Sequence, residues 1–545
     1  MELHGIGVGG GIALGPVLRM PEPLPEPGDE PFAGDADAEA VRVSAALAAV
    51  AAELEERGER AGGTARDVLL ATAMMAEDPA LAEEVRGLIG RGRSGERAVF
   101  EAVAAFQQLL RDTGGYLAER ASDLGDLAQR VIARLRGVPA PGVPASETPF
   151  VLVASDLAPA DTAVLDLDRV LALVTSAGGP TSHTAILARA RSIPAIVGVE
   201  GALGIADGTP VIVDAASGTV LTEPDARARA DVERRIAARR SAASAPITAG
   251  ALADGTPVPL LANLGSPEEA AEALALGAEG VGLFRTEFLF LDTSEAPSVE
   301  LQQQHYGALL ERFSGRKVVV RCLDAGADKP LPFLGGAHEQ NPALGLRGLR
   351  ALRAHETVLR DQLTALALAE RSAEAELWVM APMVADAEET AWFVDYATRL
   401  GLRTVGVMAE VPALALVAEQ VMASAAFVSI GTNDLTQYTL AADRLLGSVA
   451  GYQDPWHPAV LRLVARLGEA GAAAGRPVGV CGEAAADPRL AVVLVGLGAT
   501  SLSMTPAALG EVRAELATVT LEQARARARA ALAADSARAA REAAA

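Results

Sequence analysis

The residues Gly178-Gly179-Pro180-Thr181-Ser182-His183-Thr184 set an imidazole among paired glycines and hydroxyl side chains, after an apolar strand-like run at 170–174 and before a helix-like run at 185–191. Glycine lets a ligand approach the backbone closely, and Thr181 or Ser182 can cap the helix that follows. The free N–H groups of a helix start suit a phosphoryl group, so this arrangement would let His183 carry phosphate. A histidine with a pKa of about 6.5 can act as a neutral nucleophile near neutral pH. The same residues also describe a capped histidine beside a tight turn, and a motif this short does not decide between the two.

A second group of chemistry-bearing residues recurs in the C-terminal half. Asn263, Arg285 with Glu287, Arg321, Met383, Glu410, Asn433 with Asp434, and Cys481 with Glu483 each stand just beyond an apolar run. Arg285 and Arg321 offer planar guanidinium forks that match phosphate or carboxylate, and Arg444 adds a third, which points to an anion bearing several charges. Glu410 and Asp434 supply oxygen ligands for a hard divalent cation, with Mg2+ the expected ion. Cys481 stands in Gly479-Val-Cys-Gly-Glu483, where flanking glycines open access for a small substrate and the thiol can donate or accept a proton. Cys322 reads instead as a structural thiol.

These residues need elements to hold them. Eight apolar runs, 258–262, 280–283, 317–320, 377–380, 405–408, 427–430, 478–480 and 501–503, alternate with helix-like segments. That alternation predicts a TIM (β/α)8 barrel over residues 251–530, in which the residues just listed share the C-terminal rim where such barrels build active sites. The β-branched runs 150–154, 170–174, 195–197, 211–213 and 219–221 predict a small α/β domain that contains His183. Residues 1–20, rich in glycine, are expected to join it and form one domain with 143–223. Gly5-x-Gly7-x-x-Gly10 matches a dinucleotide fingerprint only superficially, since no strand precedes it and no clear helix follows.

Between two proline-rich linkers, residues 21–142 carry helical spacing in four runs, 38–60, 65–91, 95–113 and 117–136, which predicts a four-helix bundle inserted into the histidine domain. Met74 and Met75 in the second run read first as core and second as an adaptable docking surface. A charged helix at 224–250 links to the barrel, and 531–545 is expected to be a frayed tail. The 545 residues carry a net charge of −23, which disfavours nucleic acid and anionic membranes and favours a basic protein partner. Two cysteines, no signal-like start and no long apolar run predict a cytoplasmic protein without membrane insertion.

Taken together, Gly-Gly-x-Thr-Ser-His183-Thr, the run from Gly280 to Phe290, Gly431-Thr-Asn-Asp-Leu-Thr-Gln-Tyr438 and Cys481-Gly-Glu483 resemble enzyme I of the bacterial phosphoenolpyruvate (PEP):sugar phosphotransferase system. The resemblance runs through essentially the whole chain in order. It implies a phosphohistidine domain in which His183 Nε2 takes phosphate from PEP, a bundle that docks the carrier protein HPr, and a barrel that forms a homodimer. It implies PEP phosphate contacts from Arg285, Arg321, Arg444, the Asn433 segment and Lys329, Mg2+ on Glu410 and Asp434, and Cys481 as the acid that protonates the enolate. Pro180, Ala158, Ser176 and Cys322 depart from residues commoner in that family. Pyruvate-phosphate dikinase or PEP synthase would require an ATP-grasp domain for which no segment remains. A catalytically silent regulatory relative would have no need of the rim residues.

Overall fold

In a computed structural model, the structure describes the whole chain other than residues 9–10, 22–23, 62, 114–120, 145, 158–164, 167–168, 180–181, 183, 186, 189–192, 216, 245–246, 291–292, 294, 326–330, 335–338, 445 and 545. It divides into two compact units, Met1–Arg235 and Ile236–Ala545.

In the first unit, strands β1 (Glu2–His4), β2 (Ile6–Val8), β3 (Ile12–Arg19), β4 (Phe150–Ala154), β5 (Val170–Thr175), β6 (Ala195–Val197), β7 (Pro210–Asp214) and β8 (Thr219–Thr222) form one sheet, ordered β1-β8-β7-β3-β4-β5-β6-β2. Successive side chains of a strand face opposite sides. Accordingly Leu152 and Ala154 pack with Leu173 and Val197 on one face, while Val151 and Val153 pack with Ala172 and Val174 on the other. Burial on both faces explains why these strands read as unbroken apolar runs. β3 pairs in parallel with β4, Val17 beside Val151, so the long excursion between them starts and ends on neighbouring strands.

That excursion is helical. α1 (Ala36–Ala61) buries Val43, Leu47, Val50 and Leu54, a spacing of three and four that keeps one stripe facing α4 (Gly95–Thr113) and α5 (Ala121–Arg136). The predicted run 65–91 is two helices, α2 (Gly63–Ala76) and α3 (Pro79–Gly90). Asp78 caps α3 by accepting a hydrogen bond from Ala80 N at 2.8 Å, and Pro79 at the first helical position has no N–H to continue α2. The bundle thus holds five helices among the described residues rather than four. A helix follows β8, α6 (Ala226–Ser244).

The second unit is a closed parallel barrel of β9 (Leu260–Leu264), β10 (Val281–Phe284), β11 (Lys317–Arg321), β12 (Glu376–Ala381), β13 (Val405–Ala409), β14 (Val428–Ile430), β15 (Val478–Val480) and β16 (Ser501–Met504). Each predicted run overlaps one strand. β16 closes on β9 with Ser503 beside Leu261. Val318 and Val320 pack outward against the helical layer, whereas Val319 joins Leu283, Met380, Met408, Phe427 and Cys481 in an inner cluster. The expected frayed tail is instead ordered. The helix Ala537–Ala543 buries Ala540 completely, and Arg541 binds Asp454. An alanine helix carries no bulky stripe to reveal its packed side, yet a small side chain lets it sit close to its neighbour.

Candidate active site at the barrel rim

Because all eight strands run in parallel, the residues that follow them gather at one end. Arg285 follows β10, Arg321 ends β11, Glu410 follows β13, Asn433 and Asp434 lie just past β14 at the start of the helix Thr432–Leu440, and Cys481 follows β15. Arg285 remains solvent-accessible but is crowded by protein, and desolvation followed by repulsion from Arg321 lowers its pKa.

Arg321 is held firmly. Its Nη2 donates to Glu287 Oε1 at 2.9 Å and its Nη1 lies 3.4 Å from Asp324 Oδ2. Glu287 also accepts from Asp324 N at 3.0 Å. Burial alone would lower the arginine's pKa, but Glu287, Asp324 and Glu410 outweigh it and raise the pKa. Buried Arg321 Nε has no hydrogen-bond partner among the described residues. An unmatched buried donor on a fixed cation is what an incoming anion would satisfy.

Arg347 lies at the centre of the charge network, a residue that the sequence reading did not single out. It donates to Asp324 Oδ2 at 2.7 Å, to Asp434 Oδ1 at 3.2 Å and to the Tyr438 hydroxyl at 3.2 Å. Gly348, beside it, has φ +56, and a Cβ there would come within 2.6 Å of Met383 Cβ, so glycine is required for this segment to pack against the loop after β12. Arg444 Nη1 completes the network 3.7 Å from Asp434 Oδ2.

Glu410 is 1 % exposed, and its Oε1 accepts from Met383 N at 2.7 Å. Burial, then the nearby Asp434 and Asp324, push its pKa up to about 8 despite Arg321 and Arg347. A buried carboxyl crowded by like charges is relieved by a cation, so Glu410 and Asp434 fit a divalent ion as far as their donor chemistry goes. Among the described residues no three His, Cys, Asp or Glu side chains cluster as a metal site.

Cys481 is buried, and its Sγ donates to Ile430 O at 3.5 Å. Burial pushes its pKa up to about 11, against a hydrogen bond with Ser429, so the thiol keeps its proton at neutral pH. Gly482 is needed for packing rather than access, since a Cβ would sit 1.8 Å from Thr432 Oγ1. Thr432 Oγ1 accepting from Ala484 N at 3.4 Å and Asn433 Oδ1 accepting from Glu483 N at 3.0 Å tie the Cys481 loop to the helix bearing Asp434. Cys322 is completely buried, its thiol pKa raised by that burial, and acts in packing.

Arg285, Arg321, Glu410, Asn433, Asp434, Arg444 and Cys481 therefore lie together at one end of the barrel. His183 and Lys329 lie outside the described residues, as do Pro180 and Ala158. Around His183, the Ser182 hydroxyl accepts from Ala185 N at 3.3 Å, and the buried Thr184 hydroxyl donates to Asp156 Oδ1 at 3.1 Å.

Three family models match the chain, described as the PEP-utilising enzyme N-terminal domain over residues 4–120, mobile domain over 146–218 and PEP-binding domain over 239–521. A phosphoenolpyruvate-protein phosphotransferase of Streptomyces coelicolor is 53 % identical over 99 % of this chain and 98 % of that protein. The chain belongs to the enzyme I family of phosphoenolpyruvate-protein phosphotransferases. A second enzyme I relative of the same name, from Geobacillus stearothermophilus, is 36 % identical over 96 % of this chain and 94 % of its own length. As in its family, the reaction is PEP-dependent phosphoryl transfer, and the barrel is the matched PEP-binding domain. No helix among the described residues is long and apolar enough to cross a membrane.

Proposed function

We propose that the chain moves the phosphoryl group of PEP to His183 Nε2 and then to a histidine of HPr, releasing pyruvate, as the first step of a cytoplasmic sugar phosphotransferase system. The observation that carries this reading is the convergence, on one barrel rim, of four arginines, two crowded carboxylates and a thiol that keeps its proton. Phosphoryl transfer requires in-line positioning and stabilisation of the equatorial oxygens, with little covalent help. Arg285, Arg321 and Arg444, with the Asn433 segment and Lys329, bind the phosphoryl group, and Arg347 holds Asp324 and Asp434 in register beside it. Glu410 and Asp434 would hold Mg2+, which would supply further neutralisation of the phosphoryl oxygens.

His183 attacks phosphorus, forming an N–P bond as the P–O bond to the enol oxygen breaks. Cys481 then gives its proton to the enolate methylene to yield pyruvate, and solvent restores the thiol. His183 belongs to one compact unit and the rim residues to the other, so in this reading the phosphoryl group is handed from the second unit to the first before it reaches HPr. The phosphohistidine domain is residues 1–20 and 143–223, and the inserted bundle, residues 21–142, receives HPr. Exposure of Met74 at 74 % supports that docking face, while Met75 packs against the bundle core. A homodimer through the barrel is part of the same reading, resting on the family resemblance. The test is phosphate-labelled PEP with Mg2+, with and without HPr and without ATP. Label reaching HPr with matching pyruvate release is expected, and label on neither protein would overturn the proposal.

A further inference from the structure

The C-terminal helix does more than cover the barrel's side. Arg541 Nη1 and Nη2 each donate to an oxygen of Asp454 at 2.8 Å, a two-point grip in which the side chains are 28 % and 23 % exposed. Asp454 itself accepts from Trp456 N at 3.0 Å and, through its backbone carbonyl, from His457 N at 3.0 Å. The Arg541 guanidinium lies over the Trp456 ring at 5.8 Å, and Trp456 Nε1 donates to Asp487 Oδ2 at 2.9 Å. Arg489, which follows Asp487, donates back to Arg541 O at 2.6 Å. The grip therefore has anchors on both sides.

What it holds is the base of the segment that carries Arg444. Gln453, next to Asp454, donates to Ala442 O and so joins the two ends of the stretch 442–453. At the near end Ala441 has φ +50, a reversal at the end of the helix Thr432–Leu440, and Arg444 N donates to Gln437 Oε1 at 2.9 Å. Arg444 reaches Asp434 only at 3.7 Å, with a third of its side chain exposed. A long flexible cation must surrender rotamer freedom to hold an anion, and fixing its backbone lowers that cost.

We propose that the Arg541–Asp454 clasp of the C-terminal helix is a positioning device for PEP binding, acting through the segment that presents Arg444. This rests on the proposed role of Arg444 as a phosphoryl contact. Arg541→Ala should raise the KM for PEP about tenfold and leave kcat within about threefold, because the reacting groups themselves are untouched. Arg541→Lys, which keeps the charge but loses the fork, should recover part of the loss. The effect should disappear in an Arg444→Ala background, since a device working through Arg444 has nothing left to position.

The experiment is steady-state pyruvate release by the full chain with Mg2+ and HPr for these variants. Tryptophan fluorescence reports their folding. If Arg541→Ala does not fold, Asp454→Asn, nearly the same shape with a weaker grip, decides in the same assay. A folded Arg541→Ala or Asp454→Asn with an unchanged KM, or a KM effect that persists undiminished beside Arg444→Ala, overturns the clasp. If Arg444→Ala alone leaves the KM unchanged, the assignment of Arg444 falls first and the clasp falls with it.

Discussion

Replacing Glu410 by glutamine should separate stability from activity. The Glu410 carboxyl, buried and crowded by Asp434 and Asp324, has its pKa pushed up from 4.5 to about 8. In the unfolded chain it ionises as an ordinary carboxylate, so between about pH 5 and pH 8 the folded protein keeps a proton that the unfolded chain has released. In metal-free protein this contribution to stability is complete at low pH, falls by about 1.4 kcal/mol per pH unit through that window, and levels off above about pH 8. Asp324 does not confuse the reading. Arg321 and Arg347 outweigh its burial and lower its pKa, which keeps it ionised throughout. Glutamine has the shape of the protonated carboxyl, still accepts from Met383 N, and does not titrate. Glu410→Gln should therefore match the parent near pH 5 and exceed it by up to about 4 kcal/mol at pH 8, while losing phosphoryl transfer. Trp378, Trp392 and Trp456, the chain's three tryptophans, all lie in the barrel unit, so urea unfolding followed by their fluorescence, with chelator, reports that unit alone. A stability difference that stays flat from pH 5 to pH 8, or full activity in the variant, would refute the reasoning.

Arg347→Ala strips both Asp324 and Asp434 of a buried partner and should destabilise the barrel by about 3–5 kcal/mol, with Arg347→Lys recovering only part; a loss under about 1 kcal/mol would show that the network tolerates its absence. Cys481→Ser should slow pyruvate release at saturating PEP by roughly 10²–10⁴-fold while binding of an unreactive PEP analogue is nearly unchanged, and normal turnover would return Cys481 to packing. Deleting residues 25–140 and rejoining β3 to β4, which are paired neighbours, should leave a protein that accepts phosphate from PEP but passes none to HPr. In the intact chain, added salt should slow transfer to HPr more than it slows autophosphorylation, and equal slowing would argue against electrostatic steering.

The barrel was legible because each strand is a short apolar run with a polar residue at its end, a pattern that local sequence carries. Arg285, Arg321, Glu410, Asp434 and Cys481 were legible for the same reason. Arg347 was not, since it follows no strand and its role comes from Asp324 and Asp434, 23 and 87 residues away. The cue available was a charged side chain in Gly345-Leu-Arg-Gly348, whose second glycine has a positive φ. The C-terminal helix was missed because alanine burial leaves no periodic stripe, and the break at Asp78-Pro79 because the helical spacing continues across it. Gly482 was assigned to access when close packing on Thr432 is what excludes a side chain there.

The central claim is that phosphate leaves PEP for His183. The chain is incubated with labelled PEP and Mg2+, without ATP and without HPr, and the site of label is mapped by mass spectrometry alongside His183→Ala. Label that is acid-labile and base-stable, confined to the peptide carrying His183 and absent from the variant, which still binds PEP, is the expected result. Label on another residue, or undiminished labelling of His183→Ala, would contradict the account.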